Sequence, residues 1–161
     1  MVAHPAEDPF DLARFVAAQD ADDTYVQALC DLRRGRKLSH WMWFVFPQLA
    51  GLGRSPTARR YALASLDEAR AYLAHPVLGP RLVTCAEIVA SLPSPDPDAL
   101  LGPLDALKLR SSMTLFHRAA PGEQAFSKVL ERSFAGQLDP LTDALLTKAG
   151  NDDEDPESPD P

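Results

Sequence analysis

The sequence predicts an all-α fold: a compact, multihelical single domain followed by a disordered acidic C-terminal tail. Three observations carry this reading. An Asp or Ser directly before Pro recurs at Asp8-Pro9, Ser55-Pro56 and Asp139-Pro140, where the side chain caps free N–H groups and proline fits the first helical position. Apolar residues recur at helical rather than alternating spacing. No two alternating β-branched runs are joined by a hairpin turn.

The elements follow in order. The first helix opens at Asp8-Pro9 and turns Leu12, Phe15 and Val16 inward. The second runs from Asp22 to Arg34 with Tyr25, Leu29 and Leu32 on its apolar face. Its acids stand at the start and its arginines at the end, complementing the helix dipole, and Gly35 closes it. Phe44-Val45-Phe46 is open to a short strand, though nothing in the sequence pairs with it. Ser55-Pro56 starts a further helix. Ser65 with Glu68 forms a capping box for a helix through Leu73, which His75-Pro76 breaks. Another spans Pro80 to Leu92, with Leu82, Ile88 and Val89 inward. Ser94 to Pro97 reads as a loop. Helical pattern returns over Leu104–His117 and Gly122–Phe134, and a last helix begins at Asp139-Pro140 and stops at Gly150. The domain is expected over residues 8–149 and the tail over 150–161.

The chain has 161 residues, 45% of them hydrophobic, enough for one domain with a core and too few for two ordinary ones. Its formal charge of −7 is segregated. Six acids (Asp152, Asp153, Glu154, Asp155, Glu157 and Asp160) lie after Gly150 with no base among them, which leaves 17 acids against 16 bases elsewhere. Within the body, Arg33 to Arg60 carries seven bases (Arg33, Arg34, Arg36, Lys37, Arg54, Arg59, Arg60) and no acid. The overall charge therefore does not exclude an anionic partner for the body. No apolar run is long enough to span a membrane, and Met1 to Phe10 lacks the pattern of a signal peptide. Cys30 and Cys85 stand outside any metal-ligand spacing, so buried free thiols and a reducing cytoplasm are expected. The patterns of phosphate loops, dinucleotide folds, metalloproteases and serine hydrolases are absent, and neither a metal nor a cofactor is expected.

Two segments concentrate chemistry. In Ser39-His40-Trp41-Met42-Trp43-Phe44-Val45-Phe46-Pro47-Gln48, four of the chain's twelve aromatics fall within six residues. A helix here leaves no polar face, so protein must surround it. It is either simply core, or core that also lines a pocket rimmed by His40 and Gln48, with the glycines of Leu49–Ser55 permitting close approach. The second segment is Asp105 to His117. On a continuous helix Asp105, Lys108 and Ser112 share a face bracketed by Leu104, Leu109, Leu115 and Phe116, while Arg110, Thr114 and His117 face solvent. Burying Asp105 and Lys108 requires partners. Either they form a structural ion pair, or they join a pocket wall with Ser111 and Ser112 as donors.

At these segments the sequence resembles an uncharacterised family, domain of unknown function 1810. The resemblance rests on Arg34-Gly35-Arg36-Lys37 leading into His40 to Gln48. Gly51-Leu52-Gly53-Arg54-Ser55, Glu68 to Leu73, His75 to Leu82 and Asp105 to Phe116 support it. It covers Phe10 to Leu146 and implies a compact multihelical single domain, with no activity attached. A calpastatin label carried by some members does not suit a folded helical body. Over a few residues, the lysine and serines before Met-Thr-Leu-Phe are similar to the helical NADAR proteins, which act on ADP-ribosyl groups.

Together these readings favour a small anionic ligand (a nucleotide, an ADP-ribose-like molecule or a sugar phosphate) held between the two segments. Lys37, Trp41, Trp43, Gln48, Arg54, Ser111, Ser112 and Thr114 are the expected binding residues. Should the site be catalytic, and hydrolytic, His40 or Asp105 is its acid–base candidate and Lys108 its electrostatic one. The alternatives are a protein-interaction module using the basic Arg33–Arg60 surface, and weak nucleic-acid binding by the same patch. Against the last stand Asp20, Asp22, Asp23 and Asp31, close in sequence and able to neutralise that surface.

Overall fold

The computed structural model describes residues 7–153, and these are helical throughout apart from turns and loops. No strand occurs among the described residues beyond one isolated parallel bridge between Leu49 and Leu63. The elements are α1 (Ala13–Asp20), α2 (Thr24–Arg34), α3 (Met42–Val45), α4 (Pro56–Arg60), α5 (Leu66–Ala74), α6 (Leu78–Ser91), α7 (Pro97–Leu101), α8 (Pro103–Ala119), α9 (Gln124–Phe134) and α10 (Pro140–Asp153).

Most caps act as their residue types dictate. Ser55 Oγ accepts from the Ala58 N–H at 3.1 Å, and Ser65 Oγ from that of Glu68 at 3.1 Å. Gly35 closes α2 at φ +75°, a left-handed conformation that favours glycine. Asp8 caps the first helix from a distance. Its carboxylate accepts from Leu12 and Ala13 at 2.7 and 2.9 Å, because Asp11 at φ +50° interrupts the chain and delays α1 by several residues. A 3₁₀ turn over Ala21–Asp23 likewise delays α2 to Thr24. The expected capping box at α5 is half formed. Glu68 turns from Ser65 to the Ala64 N–H (2.6 Å) and to Arg14 (3.0 Å).

Other expectations are corrected. Phe44-Val45-Phe46 is no strand but belongs to the single turn of α3 and its exit. The Pro97 region read as loop opens the short helix α7, capped by Asp96. Leu104 is exposed rather than core, whereas Thr114 is buried. The face of α8 expected to meet solvent is instead covered by α10. The last helix also passes Gly150 and reaches Asp153. The remainder of the acidic tail, from Glu154 onward, lies outside the described residues.

Helix α8 is central, packing against α5, α7, α9 and α10, while α6 packs against α2, α5 and α9. From Ser111 to Phe116 every residue of α8 is buried, as a helix with neighbours on all sides requires. Aromatic rings link the layers. Phe15 meets Tyr72 edge-on at 5.2 Å, Tyr72 meets Phe116 at 5.4 Å, and Phe116 meets Phe126 at 5.7 Å, joining α1, α5, α8 and α9. Such tilted contacts add about 0.5–1.5 kcal/mol each beyond the burial of area. Cys30 and Cys85 are both free thiols, and burial pushes that of Cys85 up to about 12.

Candidate functional site

The aromatic segment is positioned from α2. Asp31, on the last turns of that helix, is buried. Its Oδ2 accepts from the backbone N–H groups of Leu38 and Ser39 (both 3.0 Å), the Ser39 hydroxyl (2.9 Å) and the indole N–H of Trp41 (2.9 Å). Burial alone would raise the pKa of this carboxyl. The bonds from Trp41, Leu38 and Ser39 outweigh it and hold the pKa below the ordinary value. The Lys37 N–H donates to the Leu100 carbonyl at 2.7 Å, so the same loop is also tied to α7. Trp41 is thereby drawn fully inside, and two residues later, about half a helical turn on, Trp43 emerges half-buried against α8.

The two segments meet at Asp105. Its Oδ2 lies 3.0 Å from Lys37 Nζ and its Oδ1 2.8 Å from Lys108 Nζ. Each lysine in turn covers a tryptophan: Lys37 Nζ is 5.6 Å from the Trp41 ring centre, and Lys108 Nζ is 4.2 Å from that of Trp43. One carboxylate therefore joins two cation–aromatic pairs. Burial raises its pKa, but the bonds from Lys108 and Lys37 prevail and lower it, so Asp105 is ionised at neutral pH.

Beside this bridge lies a groove of about 370 Å³. Trp43 and Gly53 form one wall, Lys108, Ser111 and Asp139 the floor, and Gln48 a polar edge, with exposed Leu107 and Leu141 at the mouth. A Cβ on Gly53 would stand 2.5 Å from the Ala58 Cβ, so only glycine fits that wall. Ser111 Oγ lies 2.9 Å from Asp139 Oδ2 and 3.1 Å from the Leu107 carbonyl, and donates to one of them. Thr142 gives Asp139 Oδ2 both its N–H (3.1 Å) and its hydroxyl (2.5 Å), making Asp139 the cap of α10. Arg110 also lines the groove, and its guanidinium donates to the Gln137 and Leu138 carbonyls (2.9 and 2.7 Å). A larger trough of about 690 Å³ runs between Phe10, α1 and α5, lined by Glu7, Asp8 and His75 among mostly apolar side chains, with neither of the two lysine–tryptophan pairs.

The structure thus brings Lys37, Trp43, Gln48, Asp105, Lys108 and Ser111 to one place. It does not bring the rest. His40 is exposed and lies outside the groove, since Asp31 draws the backbone of Ser39 inward just before it. Trp41 stands behind the site rather than in it. Arg54 is exposed beyond the wall. Ser112 faces the core, where its buried hydroxyl has no hydrogen-bond partner among the described residues. Thr114 is structural, donating to the Arg110 carbonyl and accepting from the Asp139 N–H, both at 2.8 Å. Sequence reasoning missed Asp139 and Leu141. Its one signal, Asp139-Pro140, reads fully as a helix start. No group of three or more metal-binding side chains occurs among the described residues, and none of the described helices is long and apolar enough to cross a membrane.

A family model described as "Protein of unknown function (DUF1810)" matches residues 9–146. Among solved structures, the conserved hypothetical protein Rv1873 from Mycobacterium tuberculosis is similar. It is 51% identical, with a TM-score of 0.84, over 87% of this chain and 99% of the other. No curated protein matches.

Proposed function

The chain belongs to the DUF1810 family, and from that premise we propose that it binds a small anionic ligand, of the nucleotide, ADP-ribose-like or sugar phosphate class, in the groove between Trp43 and α8. The observation that carries this reading is Lys108. Its ammonium is fixed by Asp105 and the Trp43 face at the floor of a partly enclosed groove, leaving an N–H for an anion or carbonyl. A group held in advance loses little freedom on binding. The geometry supports binding better than acid–base chemistry. Both oxygens of Asp105 are engaged and its pKa is lowered, while His40 is outside the groove.

Melting temperature measured against nucleotides, ADP-ribose derivatives and sugar phosphates tests this, because a ligand of the folded state raises it. A shift in the wild-type protein that Lys108→Met and Trp43→Ala both abolish is the expected result. No shift at millimolar ligand would sink the proposal.

A second reading, a partner recognised by the basic surface, has one supporting observation. Two of the four acids near it in sequence are engaged elsewhere: Asp31 inside the fold, and Asp20 with Arg81 at 2.8 Å. Arg33, Arg34, Arg36, Arg54 and Arg59 are exposed, with no carboxylate partner among the described residues. Binding to nucleic acid that falls steeply with salt would favour this surface as a nucleic-acid site.

A further inference from the structure

The groove floor has two chemically opposite poles, and one of them is unfilled. Asp139 is only 9% exposed. Its Oδ2 is surrounded by the Thr142 N–H, the Thr142 hydroxyl and Ser111 Oγ, but Oδ1 has no protein partner among the described residues. That oxygen is not sealed from solvent and Asp139 lines the groove, so Oδ1 stands as a free acceptor for a donor that a ligand brings. Arg110, which also lines the groove, gives two of its donors to backbone carbonyls and none to Asp139. The side-chain amide of Gln48, half-buried at the edge, is also without a partner among the described residues, and offers one donor group and one acceptor. One helical turn before Ser111 stands Lys108, the donor pole, with Trp43 as the aromatic wall between floor and mouth.

We infer that the ligand carries amino or ring N–H donors at one end, for Asp139 Oδ1 and Gln48, and an anionic group at the other, for Lys108. That is the chemistry of an amino-bearing heterocycle joined to a phosphate, as in an adenine nucleotide. The inference rests on the anion-groove reading and narrows it. A bare phosphate or pyrophosphate satisfies Lys108 but brings like charge toward Asp139, a juxtaposition that rejects partners. A sugar phosphate supplies hydroxyls but no flat ring for Trp43 to stack against.

The test is calorimetric binding of four compounds: adenosine monophosphate, purine riboside monophosphate (identical but for the exocyclic amino group), ribose 5-phosphate and pyrophosphate. Each is measured on the wild-type protein, Asp139→Asn and Gln48→Leu. Adenosine monophosphate is expected to bind tightest, and loss of its amino group to weaken binding about tenfold or more, as for a hydrogen bond to a charged group. Asp139→Asn keeps an oxygen to cap α10 but turns an N–H toward the groove, so it should abolish the preference for the amino compound. Gln48→Leu should weaken adenosine monophosphate without altering the melting temperature of the free protein. If Asp139→Asn fails to fold, Gln48→Leu and the matched pair of purines decide the matter. Equal binding of pyrophosphate or ribose 5-phosphate, with no discrimination between the two purines, overturns the two-pole inference and leaves the anion groove standing. Binding of none of the four overturns both.

Discussion

The indole N–H of Trp41 donates to the carboxylate of Asp31 across 2.9 Å, and both side chains are withdrawn from solvent. This bond fixes the aromatic segment to α2 and so sets the position from which Trp43 reaches the groove.

Trp41→Phe keeps most of the buried ring but leaves Asp31 without one donor. A hydrogen bond to a buried charge is worth about 1.5–3 kcal/mol, so urea unfolding should show a loss of that size. Asp31→Ala should lose more, because the N–H groups of Leu38, Ser39 and Trp41 all lose their acceptor together. A loss below about 0.5 kcal/mol for Trp41→Phe, the range of ordinary surface substitutions, would contradict this account.

Where local chemistry decides structure, the sequence was legible. Ser55, Ser65 and Gly35 cap as their types require, and the apolar spacing of α6, α8 and α9 gives the right helices. The meeting of the aromatic segment with Asp105 and Lys108 was also foreseeable, since an acid and a lysine on an apolar face need partners. What was not legible depends on distant neighbours. Thr114 is buried only because α10 folds over it, and Glu68 leaves its capping box only because Arg14 arrives from 54 residues away. Asp139 shows the same limit at the site: its cap role is local, whereas its place on the groove floor depends on how α10 meets α8.

Acid should destabilise the fold through three carboxylates. Asp8, Asp31 and Asp105 all have pKa values held below the ordinary 3.8, so the unfolded chain binds more protons than the folded one in that range. Their stabilisation is complete above the unfolded value and is lost as pH falls through the folded values. Melting temperature should therefore change little between roughly pH 5 and 8 from these groups and drop steeply below roughly pH 4. Asp105→Asn should lower stability at neutral pH and make the acid drop shallower. An unchanged acid limb in that variant would show that the bridge to Lys37 and Lys108 contributes nothing.

Arg14 holds the start of the chain to α5. Its guanidinium donates to the carbonyls of Phe10, Asp11, Arg60 and Ala62 and to Glu68 Oε1. Lysine has the charge but not the planar fork of donors, so Arg14→Lys is not conservative here. Disturbing a buried pair costs about 3–5 kcal/mol when one charge is left alone, and lysine, which leaves Glu68 a cation, should fall near or below the lower bound. Glu68→Gln, which keeps an acceptor for the Ala64 N–H, should cost less than Glu68→Ala. Equal stability of Arg14→Lys and the wild type in chemical denaturation would remove Arg14 from this role.

Gly79 sets two opposing effects against each other in α6. It is the second residue of α6, directly before Pro80, and there alanine gains less than the ~1 kcal/mol of a helix interior, because proline disfavours αR at the residue before it. Here, however, an added Cβ would stand 2.0 Å from the Leu73 carbonyl oxygen and 2.9 Å from its carbon, at the end of α5. That obstacle is backbone and cannot rotate aside. Helix α5 must shift, and with it Tyr72 in the aromatic ladder and Ala69 in the core. Forcing an extra carbon into a packed interior costs about 1–3 kcal/mol and occasionally more, so the clash should exceed the gain in propensity. Gly79→Ala is expected to melt several degrees lower than the wild type. Gly136, with no heavy atom near its Cβ position but a φ of +75°, serves as the comparison, since its alanine variant is strained by backbone alone. If Gly79→Ala instead melts higher, the close approach of α5 and α6 is not as tight as the geometry gives it.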